Sequence, residues 1–261
     1  MLLGVDVGGT FTDAVLYDGH GIHTAKAPTT PDDQSRGVIA AIESVLERSG
    51  AIADDVEAFA HGMTVGTNAL LEKRGARTAL VATEGFTDLL EIGRQTRPRL
   101  YHLCTPTPEP LAPGDLRVGV AERTGPRGVI EPLDDTAIDG AVDRLREAGP
   151  EAVAICLLFS YLDPGHEAAL AARIREAIPG VHVSASHEVL PQFREYERCS
   201  TTVIDAYLSP LLDRYLGRLT DTASERGLPE PLVMQSSGGV VPADEAARAG
   251  AWSVLSGPAG G

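Results

Sequence analysis

The chain opens with an apolar run at 2–7, followed by two alternating runs at 12–18 and 21–27. A period of two predicts three consecutive strands, with Asp18-Gly19-His20-Gly21 as the second hairpin turn. The period then changes. Between Asp33 and Arg48, the residues Val38, Ile42, Val45 and Leu46 recur at helical spacing, and Ser49-Gly50 closes the helix. A short strand, Val56–Ala60, runs through His61-Gly62-Met63-Thr64 into a second helix at Val65–Lys73.

From Arg77 onward the texture differs. A strand is expected at Thr78–Ala82 and a short helix after Gly85-Phe86-Thr87-Asp88. Cys104–Asp115 holds Pro106, Pro108, Pro110 and Pro113, which exclude regular helix and central strand. An alternating strand at Leu116–Glu122 precedes a helix at Asp134–Ala148, which carries Ile138, Val142 and Leu145 on one face. Ala152–Leu158 reads as a buried parallel strand. Asp163 and Pro164 then stand as N-cap and first residue of a helix that stops at Pro179-Gly180. A long helical stretch spans Glu195–Glu225 with a break expected at Ser209-Pro210. Strands follow at Leu232–Gln235 and Trp252–Leu255, separated by a turn at Ser236–Gly239. Ser256-Gly257-Pro258 resembles a helix start, so the chain is expected to be cut in mid-structure. These elements divide into a first part at 1–76, an inserted small α/β subdomain at 77–190, and a return at 191–261.

Charge and cysteine content narrow the class. A net charge of −15 over 261 residues excludes a nucleic-acid surface and a polybasic membrane anchor. It leaves phosphate ligands open, because backbone N–H groups and a metal can hold them. Cys104, Cys156 and Cys199 are dispersed and odd in number, which fits reduced thiols in a cytoplasmic protein. Cys156 lies in an apolar run and belongs to the core; for Cys199 helix packing is the plainer reading. No basic leader precedes the first strand, and the longest apolar stretch, Ala152–Ser160, is too short to span a bilayer. The seven histidines are scattered without metal-ligand spacing, and neither a Walker A pattern nor a Gly-x-Ser-x-Gly elbow occurs.

The richest chemistry lies in Asp6-Val-Gly8-Gly9-Thr10-Phe-Thr12-Asp13. A strand delivers a carboxylate into a glycine turn that exposes backbone N–H groups, an arrangement suited to a magnesium-bound polyphosphate. Gly8 and Gly9 lack a Cβ and let the main chain approach phosphate oxygens. Thr10 and Thr12 add hydroxyls, Asp6 can hold Mg²⁺ directly or through water, and Asp13 orients the loop. An ordinary tight hairpin is the competing reading.

Several stretches together resemble the hydantoinase A/5-oxoprolinase family, which includes subunits of acetone and acetophenone carboxylases. They are Gly4–Asp13, His61–Leu70, Gly75–Leu80, Glu84–Asp88, Glu91–Gln95, Pro164–Glu167, Arg194–Arg198 with Ser200–Thr202, Met234–Gly239 and Ser256–Gly260. They run in family order and cover essentially the whole chain. The resemblance implies an α/β, ribonuclease-H-like (actin-like ATPase) first lobe with an inserted small α/β subdomain. It further implies ATP and Mg²⁺ as cofactors and phosphorylation of an amide or carbonyl oxygen. Hydantoin or 5-oxoproline ring opening would follow, or carboxylation of a ketone in the carboxylase branch. A second subunit of the hydantoinase B type is the implied partner, and a homo-oligomer is open. Family members are longer and carry a second Asp-x-Gly-Gly-Thr/Ser loop that this chain lacks, so it resembles a first lobe alone. Without the covering lobe a folded, non-catalytic nucleotide-binding fragment is the alternative. Asp205 stands where the family more often has asparagine.

Two further residues are candidates on the substrate side. His61, at the expected exit of a strand, either transfers a proton toward the cleft or holds the turn by bonding to backbone. Arg94, following Glu91 and preceding Gln95, either pairs with a substrate carboxylate or imide oxygen or sits in a solvated charge cluster. Thr64, Thr67 and Asn68 are expected to cap the helix they open, and His166 with Glu167 to cap theirs. The run Arg194, Glu195, Glu197, Arg198 reads as surface ion pairs.

Overall fold

The computed structural model describes residues 1–30, 33–96, 101 and 108–254; Cys104, Pro106 and the Ser256–Gly261 segment lie outside them. Its contacts divide the chain into two compact units, Met1–Gly75 with Leu208–Gly261, and Ala76–Tyr207.

The first unit begins with the meander β1 (Leu2–Val7), β2 (Phe11–Tyr17) and β3 (Ile22–Pro28). Alternation fixes its register: Leu3, Val5, Val7, Ala14 and Leu16 are buried on the same side. Helix α1 (Gln34–Ser49) lays Val38, Ile42 and Val45 against that face. Asp33 caps it by accepting from the Ser35 N–H, worth about 1 kcal/mol, and Gly50 ends it in the left-handed region at φ 73°. Strand β4 (Ala58–Met63) then pairs parallel with β1, and α2 (Val65–Glu72) leaves from its end. His61 therefore lies within β4 rather than at its exit, because the strand hydrogen bonds continue to Met63.

The second unit is built on β5 (Thr78–Thr83), all six of whose residues are buried. After the short α3 (Leu89–Ile92) come β6 (Arg117–Val120) and a small hairpin, β7 (Arg123–Gly125) with β8 (Gly128–Glu131). Next in the chain are α4 (Asp135–Ala148), β9 (Ala152–Cys156), α5 (Gly165–Ala177), β10 (His182–Ala185) and α6 (Ser186–Val189). The four longer strands form a parallel sheet in the order β10-β9-β5-β6. On one face Val81, Val118, Ile155 and Val183 pack with Ile138, Val142 and Leu145 of α4 and with Leu170 and Ile174 of α5. On the other, Leu80, Ala82, Ala154 and Cys156 meet Cys199, Val203 and Ala206 from the start of α7 (Glu195–Glu225). Coverage of both faces explains why β5 and β9 read as continuous apolar runs. Cys156 and Cys199 are free, buried thiols that pack this core.

Helix α7 runs unbroken through Pro210. The expected break fails because Leu208, Leu212, Tyr215, Leu216 and Leu219 are all buried, and their packing outweighs the one hydrogen bond that proline removes. The first unit then resumes with β11 (Pro231–Met234), β12 (Val240–Pro242) and α8 (Ala243–Arg248). Trp252 and Ser253, expected in a last strand, instead belong to a 3₁₀ turn, Gly250–Ser253, which seats the Gly250 N–H on Ser209 Oγ at 3.2 Å; Leu255 of that expected strand lies outside the described residues. The completed sheet has the order β12-β11-β4-β1-β2-β3, antiparallel through the meander and parallel across β1, β4 and β11. Three antiparallel strands extended by two parallel ones is the ribonuclease-H-like arrangement.

Candidate functional site

The β1–β2 turn is tied down from several sides, and each tie takes a carbonyl. The Gly8 N–H donates to Phe11 O at 3.0 Å and closes the turn. The Val7 carbonyl accepts from both Thr64 N (3.2 Å) and Thr64 Oγ1 (2.8 Å). The Gly8 carbonyl accepts from Thr29 Oγ1 at 2.9 Å, and the Thr10 carbonyl from Thr29 N at 3.0 Å. With the Thr29 proton committed to Gly8, Thr12 Oγ1 must donate to Thr29 Oγ1 across 3.2 Å. Among the described residues nothing accepts the N–H of Gly9 or Thr10. The loop thus has the carbonyls of Val7, Gly8, Thr10 and Phe11 occupied and two backbone donors left over on exposed residues, the polarity of an anion cradle.

Asp6 stands at the same edge. It lies directly opposite Asp13 in the β1–β2 register. Asp13 is paired with Lys26 at 2.9 Å, whereas the Asp6 side chain has no ion pair or hydrogen bond among the described residues. Partial burial, then the Asp13 charge, raise the Asp6 pKa above the ordinary carboxylate range. Gly62, beside it on β4, makes room: a Cβ there would come 3.1 Å from Asp6 Oδ1.

The glycines serve different ends. Neither has a positive φ, so neither is demanded by backbone conformation. At Gly8 a Cβ would meet Phe11 O at 3.0 Å, so that glycine belongs to the fold. At Gly9 the nearest atom to a Cβ would be Asn68 Nδ2 at 3.9 Å, ordinary contact distance. The fold itself has space at Gly9.

This geometry has a known setting. The hydantoinase/oxoprolinase N-terminal region matches residues 2–178, and the hydantoinase/oxoprolinase region matches 198–261. The chain belongs to the hydantoinase/oxoprolinase family. It is 40% identical to caprolactamase subunit alpha of Pseudomonas jessenii over 98% of its own length and 38% of that protein's. It is 34% identical to 5-oxoprolinase 1 of Arabidopsis thaliana, covering 98% of this chain and 22% of the relative. The nucleotide-free structure of acetone carboxylase, an ATP-dependent enzyme, superposes with a TM-score of 0.88 at 28% identity, over all of this chain and 39% of that one. The fold is thus an actin-like ATPase lobe, and the chain spans well under half the length of these relatives.

Within this family member the other candidate residues fall as follows. His61 is fully buried, with Nε2 2.8 Å from Tyr215 Oη on α7. Burial lowers its pKa to about 4, an effect the Val5 backbone partly offsets, although Nδ1 makes no well-formed hydrogen bond among the described residues. A neutral ring sealed in this way links β4 to α7. Thr12 is likewise fully buried beneath the turn, while Gly9 and Thr10 are exposed. Arg94 belongs to the second unit, where Nε bonds Glu197 at 2.9 Å and the guanidinium lies 5.9 Å from the Tyr196 ring.

Three local expectations are corrected. Thr64 occupies the N-cap position of α2 but caps nothing; its hydroxyl reaches β1 instead. Glu167 is a buried acceptor for Leu157 N (2.8 Å), Ser186 Oγ (2.7 Å) and His187 N (2.9 Å), and it pairs with His187. Arg198 is wholly buried, donating to Ser186 Oγ, Gln192 O and Leu157 O, because α7 packs that face on the sheet. Asp205 is buried too and accepts from Ser184 Oγ at 2.7 Å. Sequence reading missed Thr29 and Gly62, the residues that set the loop and give Asp6 its space. Their only signals were a threonine pair after a strand and a glycine in register with Asp6.

Proposed function

We propose that this chain forms the first lobe of an ATP-dependent enzyme that opens a cyclic amide, with the second unit inserted into that lobe. The observation that carries the reading is the loop's polarity, with two free N–H donors and an unneutralised carboxylate at one edge. Gly9 and Thr10 would hold phosphate oxygens through backbone N–H groups. Asp6 would hold Mg²⁺ directly or through its water. Among the described residues no group of three His, Cys, Asp or Glu side chains could cage a metal, which fits an ion that arrives with its nucleotide. Bound Mg·ATP would supply a phosphoryl group to the amide oxygen and weaken the ring bond.

Thr12, Thr29 and Thr64 keep the loop in shape from beneath, and Lys26, paired with Asp13, leaves Asp6 as the carboxylate open to a cation. The caprolactamase relative supports a lactam, hydantoin or 5-oxoproline ring as substrate. The close superposition on acetone carboxylase favours one other reading, a carboxylase subunit acting on a ketone. A second subunit completes either enzyme in this proposal.

Titration calorimetry with Mg·ATP tests the loop. Asp6→Asn and Gly9→Val are each expected to weaken binding at least tenfold. Unchanged affinity in both would overturn the reading. Asp6→Asn should at the same time raise stability slightly, by less than about 1 kcal/mol because water screens the Asp6–Asp13 repulsion. ATP turnover by the complete enzyme, measured against caprolactam, hydantoin, 5-oxoproline, acetone and acetophenone, then decides the branch.

A further inference from the structure

Asn68 sits on α2, four residues after Thr64, and its side chain is half-buried. Its Nδ2 lies 3.3 Å from Thr64 Oγ1. Thr64 has one hydroxyl proton, and that proton is committed to the Val7 carbonyl at 2.8 Å. Thr64 Oγ1 can therefore only accept from Asn68, which fixes the amide with its NH₂ toward Thr64. One N–H of that NH₂ is used. The other has no acceptor among the described residues, and Oδ1 has no donor.

The same Nδ2 is the atom that a Cβ on Gly9 would meet, at 3.9 Å. A group seated where that Cβ would stand comes within contact distance of the Asn68 amide. Three N–H donors on these residues have no acceptor among the described residues: the backbone N–H groups of Gly9 and Thr10 and the spare N–H of Asn68. We propose that Asn68 is a third phosphate-contacting donor of this loop, held in its donating orientation by Thr64; the inference rests on the loop being a phosphate cradle. Asn68 also lines a cleft of about 150 Å³, so its side chain can be altered without filling or emptying a packed core.

The expected ligand is the anionic oxygen of a metal-bound di- or triphosphate, since three unpaired N–H donors suit its oxygens and the Asp6 carboxylate at the same edge suits its metal ion. Mg·ATP and Mg·pyrophosphate are titrated into the protein and into Asn68→Ala, Asn68→Asp and Gly9→Val, with thermal unfolding followed alongside. Asn68→Ala should weaken both ligands three- to fivefold. Asn68→Asp, which puts a charge where the donor was, should weaken them more than tenfold, with the unfolding temperature of each variant within a degree or two of wild type. Equal losses in the two Asn68 variants together with lowered unfolding temperatures would mean a packing role and overturn the proposal. Wild-type affinity in both, with Gly9→Val abolishing binding, would overturn it while leaving the cradle standing. No binding by the wild type, or none lost in Gly9→Val, would remove the cradle and Asn68 with it.

Discussion

Asp6 and His61 show how neighbouring strands give ionisable groups opposite environments. Asp6 is the last residue but one of β1 and is exposed, so its carboxylate stays in contact with water. His61, on the strand beside it, points into the interior and is held neutral, with its pKa at about 4. The sign of its pH dependence follows. Below pH ~6.5 the unfolded histidine takes a proton that the folded one refuses, so stability is full above that pH and falls as pH drops toward 4. A shift of this size corresponds to about 3 kcal/mol. Urea unfolding of wild type and His61→Asn at pH 7 and pH 4.5 should show the difference between them shrinking in acid. A constant difference would mean that the ring's charge state does not matter. From the sequence alone both readings of His61 stood, because burial of a strand residue depends on which partner covers it. Here Tyr215, more than 150 residues away, is that partner.

At the scale of elements, local signals sufficed wherever the chain decides for itself. Asp33 and Gly50 bound α1, Asp134 and Gly149 bound α4, and the meander has its three expected strands. Where two distant segments meet, they did not suffice. Pro210 sits inside a 31-residue helix because the leucines around it are buried. The contact between Gly250 and Ser209 is part of the same environment. A Cβ at Gly250 would fall 2.9 Å from Ser209 Oγ, 3.0 Å from its N and 3.1 Å from Leu208 Cβ. Gly250→Ala is therefore expected to cost about 1–3 kcal/mol through overpacking. Chemical denaturation measures it, and a neutral result would show that the 3₁₀ turn can shift away. Gly9→Ala, with open space before it, should leave stability unchanged in the same assay.

For the whole molecule the net charge of −15 exerts a repulsion that no single pair reveals. Raising salt from 20 to ~200 mM shortens the Debye length from about 20 to 7 Å, so the unfolding temperature should rise by a few degrees. A fall would mean that the surface ion pairs outweigh the net repulsion. Among the described residues no helix is long and apolar enough to cross a membrane. By itself the sequence determined the strand–turn–strand at the N-terminus, the acidic and glycine residues of that turn, and the family they mark, because these depend on neighbours a few positions apart. Only tertiary structure decided which glycine serves the fold and which leaves space, that Thr29 and Thr64 occupy the loop's carbonyls, and that His61, Glu167 and Arg198 are interior. Each of those outcomes depends on atoms brought together across tens of residues, and no local pattern of polarity encodes that meeting.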